Sequence, residues 1–310
     1  MGVYMRRKLV KQGPQSLVVS LPSDWLKKNH LIKGNEVEIV EISNNLVVSG
    51  KEVVEKKIKE DFVLNIDEMD DYLIKRYLTM LYTQGYGEIV VTFSKKGIML
   101  LRKGKKMGVE KFISELTHRF VGMEVLTSEK KRIVLKCFTA LDVEELKNVQ
   151  RRIFLLILSF MENMFDKNFN RNMAHDNITK FINYFFRILN ASPEIKDKEM
   201  LYSFFAVQDK LADYLRHIHY ELHRTRVSKR VKDFMKEVFE LYEEMYKLFY
   251  KFKGGKEIVN KRYDLVKKLS KMRMSNSEIK MVYEVKYILE IINSFYEMAI
   301  ARQGSFSDSH

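Results

Sequence analysis

Asp209 and Asp213 stand one helical turn apart in Asp209-Lys-Leu-Ala-Asp213. Two carboxylates at that spacing can chelate a hard or borderline cation. The apolar seam around them runs through Leu201, Phe204, Gln208, Leu211, Leu215, Ile218 and Leu222. Asp209 lies one residue past that seam and Asp213 a turn further on, so both turn away from the core of their own helix bundle. Glu290 follows Leu289 of a second seam in the same way. A solvated acidic helix face has the same pattern, and it is the weightier reading.

Three further groups carry chemistry. His217, His219 and His223 cluster in HIHYELHRTR. His219 and His223 share a helix face at a metal-compatible spacing, but Tyr220 stands where a zincin needs Glu, so helix-end histidines are the preferred account. Arg6, Arg7, Lys8 and Lys11 form a basic cluster that could track phosphates, more so if a two-fold dimer doubles it. Lys95, Lys96, Arg102, Lys103, Lys105, Lys106 and Lys111 are interspersed with Gly97, Gly104 and Gly108. They could cradle phosphate or nucleic acid, but they lack the Gly-Lys-Ser/Thr ending of a nucleotide loop, and a mobile, solvated loop is the preferred account. A second basic run, Arg224 to Lys232, reads as solvated surface that could also dock an acidic partner. Cys137 has no neighbouring histidine, and no nucleophile stands with its base, so no enzyme activity is expected.

Composition narrows the classes. The 310 residues carry a formal charge of +14, with 46% hydrophobic residues and a single cysteine. A disulfide scaffold and a cysteine-rich zinc module are excluded, and a reducing cytoplasm is expected. No apolar run reaches the ~18–20 residues of a membrane span, and the N-terminus is not expected to be a signal peptide. The charge is spread: eight basic against four acidic residues over 1–51, seventeen against thirteen over 52–140, and thirty against twenty-four over 141–310.

Breakers divide the chain into the elements that must hold these groups. Pro14 and Pro22 lie near the start, only Pro193 follows, and no glycine occurs between Gly122 and Gly254. The spacing predicts strands at Arg6–Gln12 and Ser16–Leu21, a helix from Pro22 through Leu31, and a hairpin of Glu36–Ile42 with Leu46–Ser49 around Asn44-Asn45. A unit of about 50 residues buries little surface alone, so dimerisation or docking is expected. Residues 52–140 read as a small α/β module, with helices at Tyr72–Tyr82 and Val109–Phe120. Its predicted strands are Glu88–Phe93 and a terminal hairpin of Glu124–Thr127 with Arg132–Phe138.

From residue 142 onward, spacings of three and four predict six helices in two three-helix repeats, about 142–224 and 226–303. A shift of 81 residues aligns Ile153 with Phe234, Ile157 with Val238, Phe160 with Leu241, Met164 with Met245 and Gln208 with Leu289.

The segment KQGPQSLVVSLPSDWLKKNHLIKGNEVEIVEISNNLVVS resembles the swapped-hairpin DNA-binding domain of the AbrB/SpoVT family. The features are a basic strand, a Gly-x-Ser-like turn one residue longer than strict, a Val-x-Leu-Pro strand end, a Trp-bearing helix and a Lys-Gly before a Glu-Val-Glu strand. The resemblance implies a homodimer with DNA contacts in the first strand and turn. The helical half resembles the PhoU family of phosphate-uptake regulators, whose acidic Glu/Asp-x-x-x-Asp motifs in some members bind a metal cluster. Asp209 and Asp213 match that motif; Glu290 matches half of it, with Ser294 replacing the second acid. Asp176 fits the acidic pattern of the preceding helix, where Thr179 replaces another acid.

The order of the parts resembles archaeal PhoU-domain regulators. The expected fold is α+β and multidomain. It comprises a swapped-hairpin domain over 1–51, an α/β linker module over 52–140 and an all-α PhoU-like bundle over 141–310. The expected function is DNA-associated regulation of phosphate uptake. The alternative is a dimeric adapter that binds a transporter ATPase or signalling kinase. No cofactor is fixed by the sequence; a divalent or ferric ion at Asp209, Asp213, Glu290 and Asp176 is the one candidate.

Overall fold

The computed structural model describes residues 7–14, 16–28, 30–42, 45–49, 61–139, 142–192, 195, 197–251 and 255–307. Arg6, Asn44 and Pro193 lie outside them. The chain divides into two compact units, Met1–Lys57 and Ile58–His310.

In the first unit, β1 (Val10–Lys11) pairs antiparallel with β2 (Leu17–Val18), with Gly13 at φ +80° in the turn. That left-handed conformation suits glycine. α1 (Ser23–Lys28) follows Pro22, and a second hairpin joins β3 (Glu38–Ile42) to β4 (Asn45–Ser49). The first strand is shorter than the Arg6–Gln12 expected.

The second unit begins with a four-stranded sheet in the order β5-β6-β10-β9. β5 (Phe62–Asn65) and β6 (Glu88–Thr92) are parallel, with α2 (Asp71–Thr83) between them in sequence. β9 (Met123–Glu129) and β10 (Arg132–Cys137) form the expected hairpin, and β10 pairs antiparallel with β6. α3 (Val109–Thr117) completes the layer.

The basic run at 95–111 is not a loop, which corrects the expectation. It folds as a hairpin of β7 (Gly97–Leu100) and β8 (Lys105–Gly108), turning at Gly104 with φ +59°, and then enters α3. Ile98 and Leu100 alternate into the core while Lys103, Lys105 and Lys106 stay exposed, which is the period of a half-buried strand.

Six helices follow among the described residues: α4 (Glu145–Glu162), α5 (Arg171–Ala191), α6 (Lys198–Leu222), α7 (Lys229–Lys251), α8 (Gly255–Ser270) and α9 (Asn276–Ser307). Consecutive helices pack in α4–α5–α6 and α7–α8–α9, while α6–α9 and α4–α7 join the two sets. The residues aligned by the 81-residue shift, Ile153 to Met164 and Phe234 to Met245, are all buried. Phe154 packs against Phe204, Phe295 and Tyr246, so rings from α4, α6, α7 and α9 share one centre. The buried Tyr242 hydroxyl donates to Gln208 Oε1 at 2.7 Å, again across the two sets. No helix among the described residues is long and apolar enough to cross a membrane.

The α/β layer and the helices share a continuous hydrophobic core. Their polar joint is Arg187 of α5, only 2% exposed. Its Nη1 donates to the Tyr82 carbonyl at 2.6 Å and the Tyr86 carbonyl at 3.0 Å, and its guanidinium lies 4.8 Å from the Tyr82 ring centre. Asn190 donates to the Thr83 carbonyl at 2.9 Å. The Tyr82 and Thr83 carbonyls belong to the last turn of α2, which has no intrahelical donors for them, and Tyr86 lies just past it.

A single carboxylate organises the start of the second helical set. One Glu278 oxygen accepts the Ser275 N–H and hydroxyl in a capping box at the head of α9, and the other accepts the Ser228 N–H before α7. Those hydrogen bonds, Ser228's foremost, hold its pKa down at about 2. Glu278→Ala is predicted to lower stability by about 1–2 kcal/mol, the cost of a lost cap, read from a urea midpoint. Because the folded pKa is depressed, this contribution is present at neutral pH and is lost as pH falls from about 4.5 to about 2. The variant is therefore less acid-sensitive over that window than the parent.

Candidate functional site

Two surfaces carry the groups the sequence singled out. The first is the N-terminal hairpin. Arg7, Lys8 and Lys11 are all exposed along it, and Arg6 lies outside the described residues. The hairpin is unusual in what else it exposes. Ile32, Leu46 and Leu9 are 75%, 70% and 65% exposed. Val10, Leu17, Val19 and Ile39 are exposed as well.

The second surface is a cleft of about 360 Å³ where α2 and the β7–β8 turn meet α5 and α6. Asp71 builds its upper wall. One oxygen accepts the Leu101 N–H at 3.0 Å and the other the Lys75 ammonium at 2.9 Å, so the first turn of α2 is tied to the hairpin turn. Burial raises the Asp71 pKa, but the Leu101 N–H and Lys75 outweigh it and the carboxyl stays below its ordinary value.

The lower wall is an imidazole held between two carboxylates. His175 Nδ1 lies 3.2 Å from Asp176 Oδ1 and Nε2 lies 3.1 Å from Asp213 Oδ1. Arg119, just past α3, donates to Asp176 at 2.6 Å; Arg216, a turn along α6, donates to Asp213 at 2.9 Å. The Thr179 hydroxyl donates to Asp209 at 3.0 Å. Burial pulls the His175 pKa down, and the hydrogen bonds to Asp176 and Asp213 more than reverse this. The His175 hydrogen bond is also the main cause of the lowered Asp213 pKa. For Asp176, burial acts upward and the His175 bond and Arg119 prevail.

Three of the four candidate metal ligands, Asp176, Asp209 and Asp213, thus come together, and the fourth does not. Glu290 on α9 pairs with Arg262 of α8 at 2.6 Å and is absent from the cleft lining. The set does not fit a metal cluster. Asp176 and Asp213 are each bonded to a guanidinium and to His175, Asp209 to a hydroxyl, and the cleft has more cationic than acidic side chains. Among the described residues no group of three or more His, Cys, Asp or Glu is arranged to hold a metal.

Of the histidine cluster, His219 and His223 stay together, their ring centres 4.5 Å apart, and His217 leaves them. His219 Nε2 is 3.0 Å from the Asp166 carbonyl and His223 Nε2 3.3 Å from the Met164 carbonyl, so both fasten the chain leaving α4. His217 points elsewhere, 3.4 Å from Glu284. Cys137 is half-buried in β10, its Sγ against the Val121 carbonyl. The cleft residues that sequence reading missed are Asp71, Arg76, Arg119, His175 and Arg216; Arg102 was noted only as part of the basic run. Local spacing does not connect them, because they come from α2, the segment after α3, α5 and α6.

No family model matches the sequence, and no match was found among curated proteins or solved structures.

The His175 geometry gives a direct prediction. A proton titration followed by NMR is expected to place His175 above the ordinary histidine value near 6.5, and Asp213→Asn is expected to bring it down. An unshifted His175 in the parent protein would contradict the bridge. The sign for stability follows: the imidazolium's contribution is complete below about 6.5 and fades as pH rises through the raised folded value.

Proposed function

We propose that this protein is a dimeric, DNA-associated regulator of phosphate uptake, as the AbrB/SpoVT-like and PhoU-like resemblances imply. The observation that carries the reading is the N-terminal unit. Its two hairpins leave Leu9, Val10, Leu17, Val18, Val19, Ile39 and Leu46 exposed beside a basic strand. A unit of this size has too little core to stand alone. A second copy that covers Leu9, Val10, Leu17 and Ile39 supplies the missing core and doubles the Arg7, Lys8 and Lys11 cluster. A doubled basic surface gains affinity for DNA by releasing counterions from the phosphates.

The helical unit is the part that responds to phosphate status. Its long helices and the cationic cleft give it a place to do so, and the pairing of α6 with α9 links its two three-helix sets.

Binding of the full chain to random-sequence duplex DNA, titrated at several salt concentrations, tests the reading. The expected result is measurable binding at low salt whose logarithm falls linearly with log salt. Arg7→Ala with Lys8→Ala and Lys11→Ala is expected to weaken binding and to flatten the slope by about 0.9 for each DNA phosphate no longer neutralised. Undetectable binding at low salt, or binding indifferent to the triple substitution, removes DNA from the function and leaves the adapter of a transporter ATPase or kinase. Light scattering is expected to give a dimer, and Leu17→Asp a monomer; a monomeric parent would contradict the proposal.

A further inference from the structure

We infer that the cleft between α2, the β7–β8 turn, α5 and α6 binds the phosphate group of a small anion, and that its acidic residues serve to position cations rather than to ligate a metal. The inference deepens the phosphate-responsive reading above by giving it a site, and it rests on that reading only for its physiological meaning.

The charge balance sets the sign of the ligand. Lys75, Arg76, Arg102, Arg119 and Arg216 line the cleft against Asp71, Asp209 and Asp213, with Asp176 adjoining through Arg119. The carboxylates are the satisfied partners. Asp71 is taken by Lys75 and a backbone N–H, Asp176 by Arg119 and His175, Asp213 by Arg216 and His175, and Asp209 by Thr179. The surplus is cationic. Arg76 and Arg102 form no ion pair within 4.0 Å among the described residues; Arg76 lies over the Tyr72 ring at 5.1 Å.

An incoming cation meets a net positive wall and carboxylates already engaged. An anion meets two guanidinium groups with forked N–H donors to spare. Such forks match the paired oxygens of a phosphate, and a doubly charged tetrahedral anion uses more of them than a single carboxylate does. The Leu101–Asp71 and Arg119–Asp176 bonds hold the walls in place, so the donors are arranged before the ligand arrives.

The size admits more than the bare ion. A neighbouring depression of about 340 Å³ shares Asp71, Lys75, Arg102 and Arg119 with the cleft. Free phosphate and the phosphate group of a small metabolite share the recognition chemistry, and they separate in the experiment.

Calorimetric titration of the full chain at constant ionic strength uses inorganic phosphate, glucose 6-phosphate and ADP, with sulfate and citrate as comparison anions. At least one phosphate compound is expected to bind more tightly than both comparison anions. Arg76→Gln with Arg102→Gln is expected to weaken it about tenfold or more. Both side chains are exposed, so the pair is expected to fold normally. Lys130→Gln with Lys131→Gln removes equal charge at the exposed β9–β10 turn and is expected to leave binding unchanged.

Binding of bare phosphate alone and binding of a phosphomonoester both support the site and differ only in the source of the group. Absence of binding, equal loss in both double variants, or a preference for citrate or sulfate would overturn it. Stoichiometric manganese binding abolished by Asp209→Asn with Asp213→Asn would also overturn it. The DNA titration on the Arg76/Arg102 variant separates the two proposals. Failure of the cleft with hairpin binding intact sinks only the site, and absence of DNA binding in the parent protein sinks only the regulator.

Discussion

A buried guanidinium fixes the relation between the α/β layer and the helices. Removing Arg187 from water is costly, and a lone charge at 2% exposure would not be tolerated without partners. The C-terminal end of α2 provides them. The Tyr82 carbonyl of its last turn, the Tyr86 carbonyl just past it and the negative end of the helix dipole face the guanidinium, and the Tyr82 ring covers it. The same Tyr82 carries a hydroxyl that bonds both the Val121 carbonyl and the Val121 N–H, and it stacks on Phe120. One residue pair therefore joins α2, the segment before β9 and α5.

The cleft depends on that joint. α2 lies along α5, with its last turn at Arg187 and Asn190 and its first turns facing the surface that holds His175, Thr179 and Asn183. Were α2 free to shift, Lys75 and Arg76 would not stand opposite Arg216, and Arg119 would not reach Asp176. The mixed charge of the cleft follows from its position. It lies where one layer closes over another: Asp71 holds Lys75 within one layer, Asp213 holds Arg216 within the other, and Arg119 reaches across to Asp176.

Legibility in the sequence followed the range of the interaction. The helices of residues 142–307 were readable because the three-and-four spacing is local and repeats from Val149 to Ile292. Gln208 on the seam was also readable, although its partner Tyr242 was not. The β7–β8 hairpin was hidden by composition, since seven basic residues masked the alternation of Ile98 and Leu100. The Ser275-to-Glu278 capping box was a local signal that went unread. Asp209 and Asp213 were found by spacing, but their partners Thr179, His175 and Arg216 were not. Arg119 and Asp176 are 57 residues apart and His175 and Asp213 are 38, and no local pattern shows such pairs. The N-terminal unit was the reverse case: its length of about 50 residues already implied that it buries little surface alone.

The central claim is that the cleft is a preformed site within one cooperative body rather than a gap between two loosely docked parts. Native-state hydrogen exchange of the full chain tests it most directly. The account predicts that core amides of β6, such as Ile89 to Val91, and those of α5 around Phe185 to Leu189 exchange through the same opening. It also predicts that Arg187→Met lowers the protection of both sets together. Exchange of the β6 amides at a much lower free energy than α5, with α5 unchanged in the variant, would contradict the account.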